Sequence, residues 1–299
     1  MNNRALAVAG GLAADALLGE PPARSHPVRA FGSVMGGVER RLYCDSRMAG
    51  TAHACLGVAL AVGTGAAARS TAVATYLAVA GRALGDAALD VARALEDGDL
   101  DRGRALLPAL VGRDPAGLDE AEIARAVVES VAENTVDAVV APALWAAAFG
   151  APGALGYRAV NTLDAMVGHR GDRYGRYGWA SARLDDAANL VPARLTAALV
   201  AGARPRRAGE VWCAVSRDAR RHPSPNSGVA EAAFAAALGL RLGGTNRYRD
   251  RQEVRPFLGR GRPAAPADIA RCVRLSRHVT VLLGAVLVAG YLVRAGTDR

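Results

Sequence analysis

Apolar residues gather in five stretches along the chain, with charged segments between them. The first runs from Ala5 to Gly19. The second, Thr51 to Ala68, is followed after Arg69 by the third, Thr71 to Ala80. The fourth, Val136 to Tyr157, is interrupted by Asp137 and Pro142, and the fifth and cleanest is Val279 to Val293. A helix needs about 20 apolar residues to cross the hydrocarbon core, so the pattern predicts about four to five transmembrane helices. Leu190 to Ala203 reads as a further apolar helix, buried or interfacial. Between the spans, Gly81 to Glu96 repeats apolar residues at helical spacing (Leu84, Ala88, Leu89, Ala92, Leu95). Leu118 to Glu133 opens with acidic residues, which a helix N-terminus favours. Arg204 to Arg277 is the largest polar region, and its Pro- and Gly-rich part, Leu258 to Pro266, reads as a loop. The expected fold is all-α: a polytopic integral membrane protein with helical polar loops, residues 1–299 forming a single membrane domain.

Composition fits such a protein. Hydrophobic residues make up 51 % and charged residues 22 %, with mean hydropathy +0.12. The apolar content is mostly Ala, Val, Leu and Gly, small side chains that let membrane helices approach closely. The formal charge is +9, and all 37 basic residues are Arg. With no lysine there is no Schiff base to pyridoxal phosphate and no P-loop of the usual type. Phosphate or carboxylate groups must then be held by Arg, backbone N–H groups or a metal. No basic patch interleaved with aromatics points to nucleic acid; Arg-rich cytoplasmic loops account for the charge more simply. The four cysteines (Cys44, Cys55, Cys213, Cys272) form neither a C-x-x-C pair nor a disulfide framework. The N-terminal stretch lacks a clear cleavage site and reads as a retained first segment.

Polar residues concentrate in four blocks. Asp15-Ala-Leu-Leu-Gly-Glu-Pro-Pro leads to His26, which could bind an anion or simply cap a helix. In ESVAENTVDAVVAP, Glu129, Glu133 and Asp137 fall at i, i+4 and i+8, so an unbroken helix places them on one face. Their mutual repulsion calls for a metal or cationic partner, unless the face is simply solvated. In the third block, Asn161 and Asp164 are one turn apart, as are Asp185, Asp186 and Asn189, the oxygen-ligand spacing that suits Mg²⁺ with substrate phosphates. Arg170, Arg173, Arg183 and Arg194 could neutralise phosphate, or pair with these acids as ordinary salt bridges. In the fourth, His222, Ser224 and Asn226 precede a helix starting near Val229, with Ser227 or Asn226 as cap and Glu231 in its first turn. Such a start is either an anion site or an ordinary capped helix.

These blocks, in this order, resemble the CobD/CbiB family of cobalamin biosynthesis. The matching segments are DALLGEPPARSHPV, VGRD (Val111 to Asp114), ESVAENTVD, NTLDAMVGHR, RLDDAANLVPAR and HPSPNSG with GLRLGG. The chain departs from the family pattern at Ala138, at Val229-Ala230 and at His169. The resemblance implies a membrane ligase joining adenosylcobyric acid to (R)-1-amino-2-propanol or its O-phosphate, at the expense of ATP with Mg²⁺. It further implies a multi-pass protein of the cell membrane, in the lipid bilayer and in association with other corrinoid-pathway enzymes.

A carboxylate must be activated before an amine can attack it, most simply as an acyl phosphate. That chemistry needs Mg²⁺ ligands, cationic groups and a base. By residue type, Asp164, Asp185, Asp186 and Asn189 are expected at metal or phosphate. Glu133 and Asp137 are expected as base or amine-binding groups. His26, Arg173, Arg183, Arg194 and His222 are expected at phosphate or the corrin rim, with Asn134, Asn161, Ser224, Asn226, Ser227 and Glu231 as further substrate contacts. A membrane transferase acting on a Mg²⁺-diphosphate substrate, a non-catalytic corrinoid-binding scaffold and a transporter are the competing expectations.

Overall fold

The computed structural model describes residues 2–22, 26–169, 171, 173–247 and 252–297. The chain opens with α1 (Asn2–Leu18), α2 (Pro27–Leu42), α3 (Arg47–Ala68) and α4 (Thr71–Ala78). It continues through α5 (Gly81–Glu96), α6 (Leu100–Leu106) and α7 (Glu120–Thr135) to a π-helical turn, Val136–Val140. Then come α8 (Ala141–Phe149), α9 (Ala151–Val167), α10 (Trp179–Ala188), α11 (Leu190–Ala203), α12 (Ala208–Asp218) and α13 (Ser227–Leu238). Three short strands, β1 (Leu240–Arg247), β2 (Gln252–Leu258) and β3 (Arg262–Pro263), precede the long α14 (Pro266–Thr297). These elements form two compact units: the described residues within 1–80, 137–190 and 284–299, and those within 81–136 and 191–283.

In the first unit α3 lies along α9, and α1, α2, α4, α8 and α10 complete the packing. The α3 seam depends on small residues. A Cβ at Gly57 would come within 2.9 Å of Leu163, and one at Gly50 would overlap the Tyr177 carbonyl. His26 caps α2 by accepting the Val28 N–H at 3.3 Å, with Pro27 at the first helical position.

The second unit is built on α13, whose residues from Gly228 to Leu238 are all buried. An Ala-rich helix that is apolar all round belongs in an interior. α7 and α12 pack on it, and so do β1 and β2. α7 starts with a reciprocal cap, Asp119 accepting from Glu122 N–H and Glu122 from Asp119 N–H.

The helical expectations for 81–96, 118–133 and 190–203 match α5, α7 and α11. The described chain is mostly helical, as the expected class requires; the polar region adds a small three-stranded sheet of order β2-β1-β3, with β3 inside the expected loop 258–266. Its signal was the alternation Leu240-Arg241-Leu242: both leucines are buried, and Leu242 pairs with Leu258.

By length and composition, three helical segments among the described residues can cross a membrane: Arg47–Ala68, Thr71–Glu96 and Pro266–Thr297. Thr71–Glu96 is interrupted at Val79-Ala80, where α4 gives way to α5. Two of the five expected stretches fall short. α1 has 17 residues, and Val136 to Tyr157 is divided by the π turn and by Gly150, whose φ of 71° ends α8. α14 leaves most of its apolar surface uncovered, with Val281 70 % and Val293 68 % exposed. Lipid covers a helix of this kind without cost, whereas water does not.

Candidate functional site

Four of the motif segments meet around α7 in the second unit. Arg113 Nη2 donates to Glu129 Oε2 at 2.5 Å, and Arg125 stands 3.5 Å from Oε1. The Gly243 N–H donates to that same Oε1 at 2.8 Å. Burial pushes the Glu129 carboxyl up, but the Arg113 and Arg125 guanidiniums and their hydrogen bonds hold it below the ordinary value. Arg125 also donates to the Gly243 and Thr245 carbonyls, tying α7 to β1. Gly243 has φ 84°, and a Cβ there would overlap the Pro256 carbonyl. Gly243→Ala is accordingly expected to misplace the N–H held by Glu129 and to lower the unfolding midpoint, measurable as a thermal shift in detergent.

One turn beyond Glu129, half-buried Glu133 accepts the Ser227 hydroxyl proton at 2.6 Å. Glu231, in the second turn of α13 and not the expected first, stands 3.6 Å from His222 Nε2, and the two side chains are 1 % and 2 % exposed. His222 Nδ1 accepts the Ser224 N–H at 3.1 Å. The facing atoms, His222 Nε2 and Glu231 Oε1, have no hydrogen-bond partner. Burial, and then the Glu129 and Glu133 charges, raise the Glu231 carboxyl well above the ordinary carboxylate value. Burial lowers the His222 imidazole. Burial thus disfavours the charged form of each.

The helix-cap expectation for Asn226 and Ser227 does not hold. α13 begins at Ser227, and Asn226 makes no side-chain cap. Its Oδ1 accepts from Arg194 at 2.9 Å, while Ser224 Oγ accepts the Asn226 and Ser227 N–H groups. The N–H groups expected to bind an anion are thus occupied by a serine turn. Asn134 is turned back along its own helix, donating to the Ser130 carbonyl at 2.9 Å.

The α-helix that carries Glu129 and Glu133 ends at Thr135, and Asp137 lies in the π turn that follows, within the first unit. There the Tyr157 hydroxyl donates to Asn189 Oδ1 at 2.8 Å, with Asp137 Oδ1 at 3.5 Å. Asn189 and Asn161 donate to the two oxygens of Asp185 at 3.0 and 3.4 Å. Asp186, the neighbouring acid, instead lies 3.8 Å from exposed Arg183, an ordinary i,i+3 pair. Asp164, half-buried on α9, sits beside Gly168. Among the described residues no group of three or more His, Cys, Asp and Glu side chains is arranged to hold a metal. Arg173 donates to Glu39 at 3.1 Å and lies over the Tyr43 ring. Arg170 lies outside the described residues.

Arg113, Arg125, Tyr157 and Arg255 were not expected as site residues. Arg125 precedes Glu129 by one turn, a readable pairing. Tyr157 was hidden in an apolar stretch, and nothing in the sequence ties Arg255 to Glu231.

A profile of the CobD/Cbib protein family matches residues 8–276. The chain belongs to the CobD/CbiB family. A relative from Mycobacterium tuberculosis (strain H37Rv), called cobalamin biosynthesis protein CobD, is 47 % identical, the match covering 97 % of this chain and 96 % of the relative. Proteins of the same name from Geobacter metallireducens (42 %, covering 91 % and 93 %) and Rhodobacter capsulatus (50 %, covering 60 % and 58 %) are also similar. No solved structure matches the chain. Membership in this family gives the chain a role in cobalamin biosynthesis, and the VGRD, ESVAENTVD, HPSPNSG and GLRLGG segments all contribute to the α7 cluster.

Proposed function

We propose that this protein joins adenosylcobyric acid to (R)-1-amino-2-propanol or its O-phosphate, forming an amide with ATP as the energy source. The observation that carries this is the buried cluster on α7. There a fixed ion pair holds one face of the helix, half-buried Glu133 accepts the Ser227 hydroxyl proton, and the buried His222–Glu231 pair lies in the same unit. A half-buried carboxylate with a hydroxyl donor is suited to hold an ammonium group and take its proton. ATP activates the corrin carboxyl as an acyl phosphate, the amine displaces phosphate, and the amide remains. Arg194, presented through Asn226, and Arg183, Arg173 and His26 are the groups assigned to phosphate or the corrin propionates and amides.

The Asp137–Tyr157–Asn189–Asp185 network fits Mg²⁺. This ion takes one or two carboxylates and otherwise water and phosphate oxygens, and here two amides orient Asp185 while Tyr157 contacts Asp137. Asp185 and Asn189 would hold it, and once bound it would offset charge on the ATP phosphates. Asp185→Asn should therefore lower ATP-dependent product formation by about 10²-fold or more. Asp186→Asn, at an exposed i,i+3 ion pair, should cost much less. Equal losses in the two variants would remove Asp185 from this role.

The three apolar segments support a multi-pass protein of the cell membrane, its Arg-rich loops on the cytoplasmic side where ATP is present. The test is detergent-purified protein given adenosylcobyric acid, Mg-ATP and each amine in parallel, with products weighed by mass spectrometry. The amide with one amine supports the ligase and fixes its substrate. Corrinoid binding without product points to a scaffold that needs a partner.

A further inference from the structure

Between α2, α3, α4 and α9, within the first unit, lies a cavity of about 240 Å³. Its walls are apolar apart from Thr64, Thr162 and Arg158, and Arg158 is the one charged residue that the described walls contain. The two threonines turn their hydroxyl protons to carbonyls of their own helices, Thr64 to Leu60 at 2.8 Å and Thr162 to Arg158 at 2.7 Å. Arg158 is half-buried, its Nε is buried without a hydrogen-bond partner, and no described carboxylate forms an ion pair with its guanidinium. A cation thus stands in an apolar wall with no counter-charge.

The cavity opens on the outer surface of the unit, since Val34 and Leu60 in its walls are 52 % and 46 % exposed. Leu60 and Thr64 belong to α3, one of the segments that can cross a membrane. At 1.5 Å per residue they stand about 12 Å and 6 Å from the end of that helix at Ala68. α3 is about 33 Å long, close to the roughly 30 Å of a hydrocarbon core, so the opening lies where acyl chains meet headgroups. At that depth an unpaired charge is costly and is met by an opposite charge.

We propose that this cavity is a binding site for one acidic membrane phospholipid, whose phosphate pairs with Arg158 while part of an acyl chain fills the apolar space between α2, α3 and α9. The planar guanidinium fork matches the oxygens of a phosphate. Basic pockets between membrane helices hold anionic headgroups in this way. Charge complementarity selects the acidic class, because the ammonium of a zwitterionic headgroup competes with Arg158 for the same phosphate. The apolar walls select an amphiphile over a soluble anion, which would meet the charge and leave the rest of the cavity unfilled. A lipid seated there joins three helices of the first unit and stabilises the folded state by mass action.

The test uses full-length protein stripped of lipid in a neutral detergent and titrated with phosphatidylglycerol, phosphatidylcholine, inorganic phosphate or aminopropanol phosphate. Native mass spectrometry reads lipid binding, and thermal unfolding reads its effect. Phosphatidylglycerol should bind wild type about tenfold or more tightly than phosphatidylcholine, and it alone should raise the unfolding midpoint. Arg158→Gln should lose that preference, about tenfold in phosphatidylglycerol affinity, and Arg158→Lys should keep most of it. Ala30→Phe, at an exposed position in the α2 wall, leaves Arg158 in place but fills the space for the chain, so it should also weaken phosphatidylglycerol binding. Arg158→Lys and Ala30→Phe carry the test if Arg158→Gln does not fold. Equal binding of the two lipids, or phosphatidylglycerol binding that neither Arg158→Gln nor Ala30→Phe weakens, would overturn the site. Protection by either soluble phosphate equal to that of phosphatidylglycerol would also overturn it, and would make Arg158 a contact for a soluble anion.

Discussion

Arg113→Ala should destabilise the protein by about 3–5 kcal/mol, the cost of leaving one partner of a buried ion pair without the other. Glu129 has a 4 % exposed side chain and meets Arg113 at 2.5 Å. Arg125 would remain, but at 3.5 Å from the other oxygen and already bound to two carbonyls of β1. Removing both partners, in Arg113→Ala with Glu129→Ala, should cost less than the sum of the single changes, because the stranded charge is then gone. Unfolding of the detergent-purified variants checks both statements, the single change appearing as a fall of about 6–20 °C in midpoint. The pH dependence has a definite sign. The folded Glu129 carboxyl lies below its ordinary value of about 4.5, so its contribution is complete above that pH. It is lost as pH falls through the depressed folded value, and acid should therefore narrow the gap between wild type and Arg113→Ala.

Glu133→Gln should reduce amide formation by about 10²–10⁴-fold, the usual contribution of a positioned general base, while corrinoid binding and folding persist. The amide of Gln keeps an acceptor for the Ser227 hydroxyl, which Glu133 now accepts at 2.6 Å, so local structure is preserved. Steady-state turnover at saturating amine, beside equilibrium binding of adenosylcobyric acid, separates the two effects. A fall in binding equal to the fall in turnover would make Glu133 a substrate contact only.

Much of this architecture was legible in the sequence where it depends on local pattern. The apolar periodicity of Gly81–Glu96 and the acidic start before Glu120 each gave a helix close to its observed limits. The motif segments also named most residues of the α7 cluster, since chemistry-bearing residues stand out in an Ala-rich chain. What escaped depended on backbone detail or on distant partners. A π turn at Val136–Val140 cannot be read from i, i+4 spacing, and neither can the contact of its Asp137 with the Tyr157 hydroxyl. Glu129 looked in need of a metal because its compensation comes from Arg113, sixteen residues away in sequence. Asp185 and Asp186 looked equivalent because sequence adjacency hides that successive helical side chains point about 100° apart. The strand Leu240–Arg247 carried a period-two signal, too short to stand against the helical context.

The most direct test of the ligase is one reaction run with adenosylcobyric acid labelled with ¹⁸O in its free carboxyl group, with unlabelled Mg-ATP and the preferred amine. If the corrin carboxyl is activated by phosphoryl transfer and then attacked by the amine, the product is the amide, and one ¹⁸O appears in the released phosphate. Amide absent, or phosphate carrying no ¹⁸O, would contradict it.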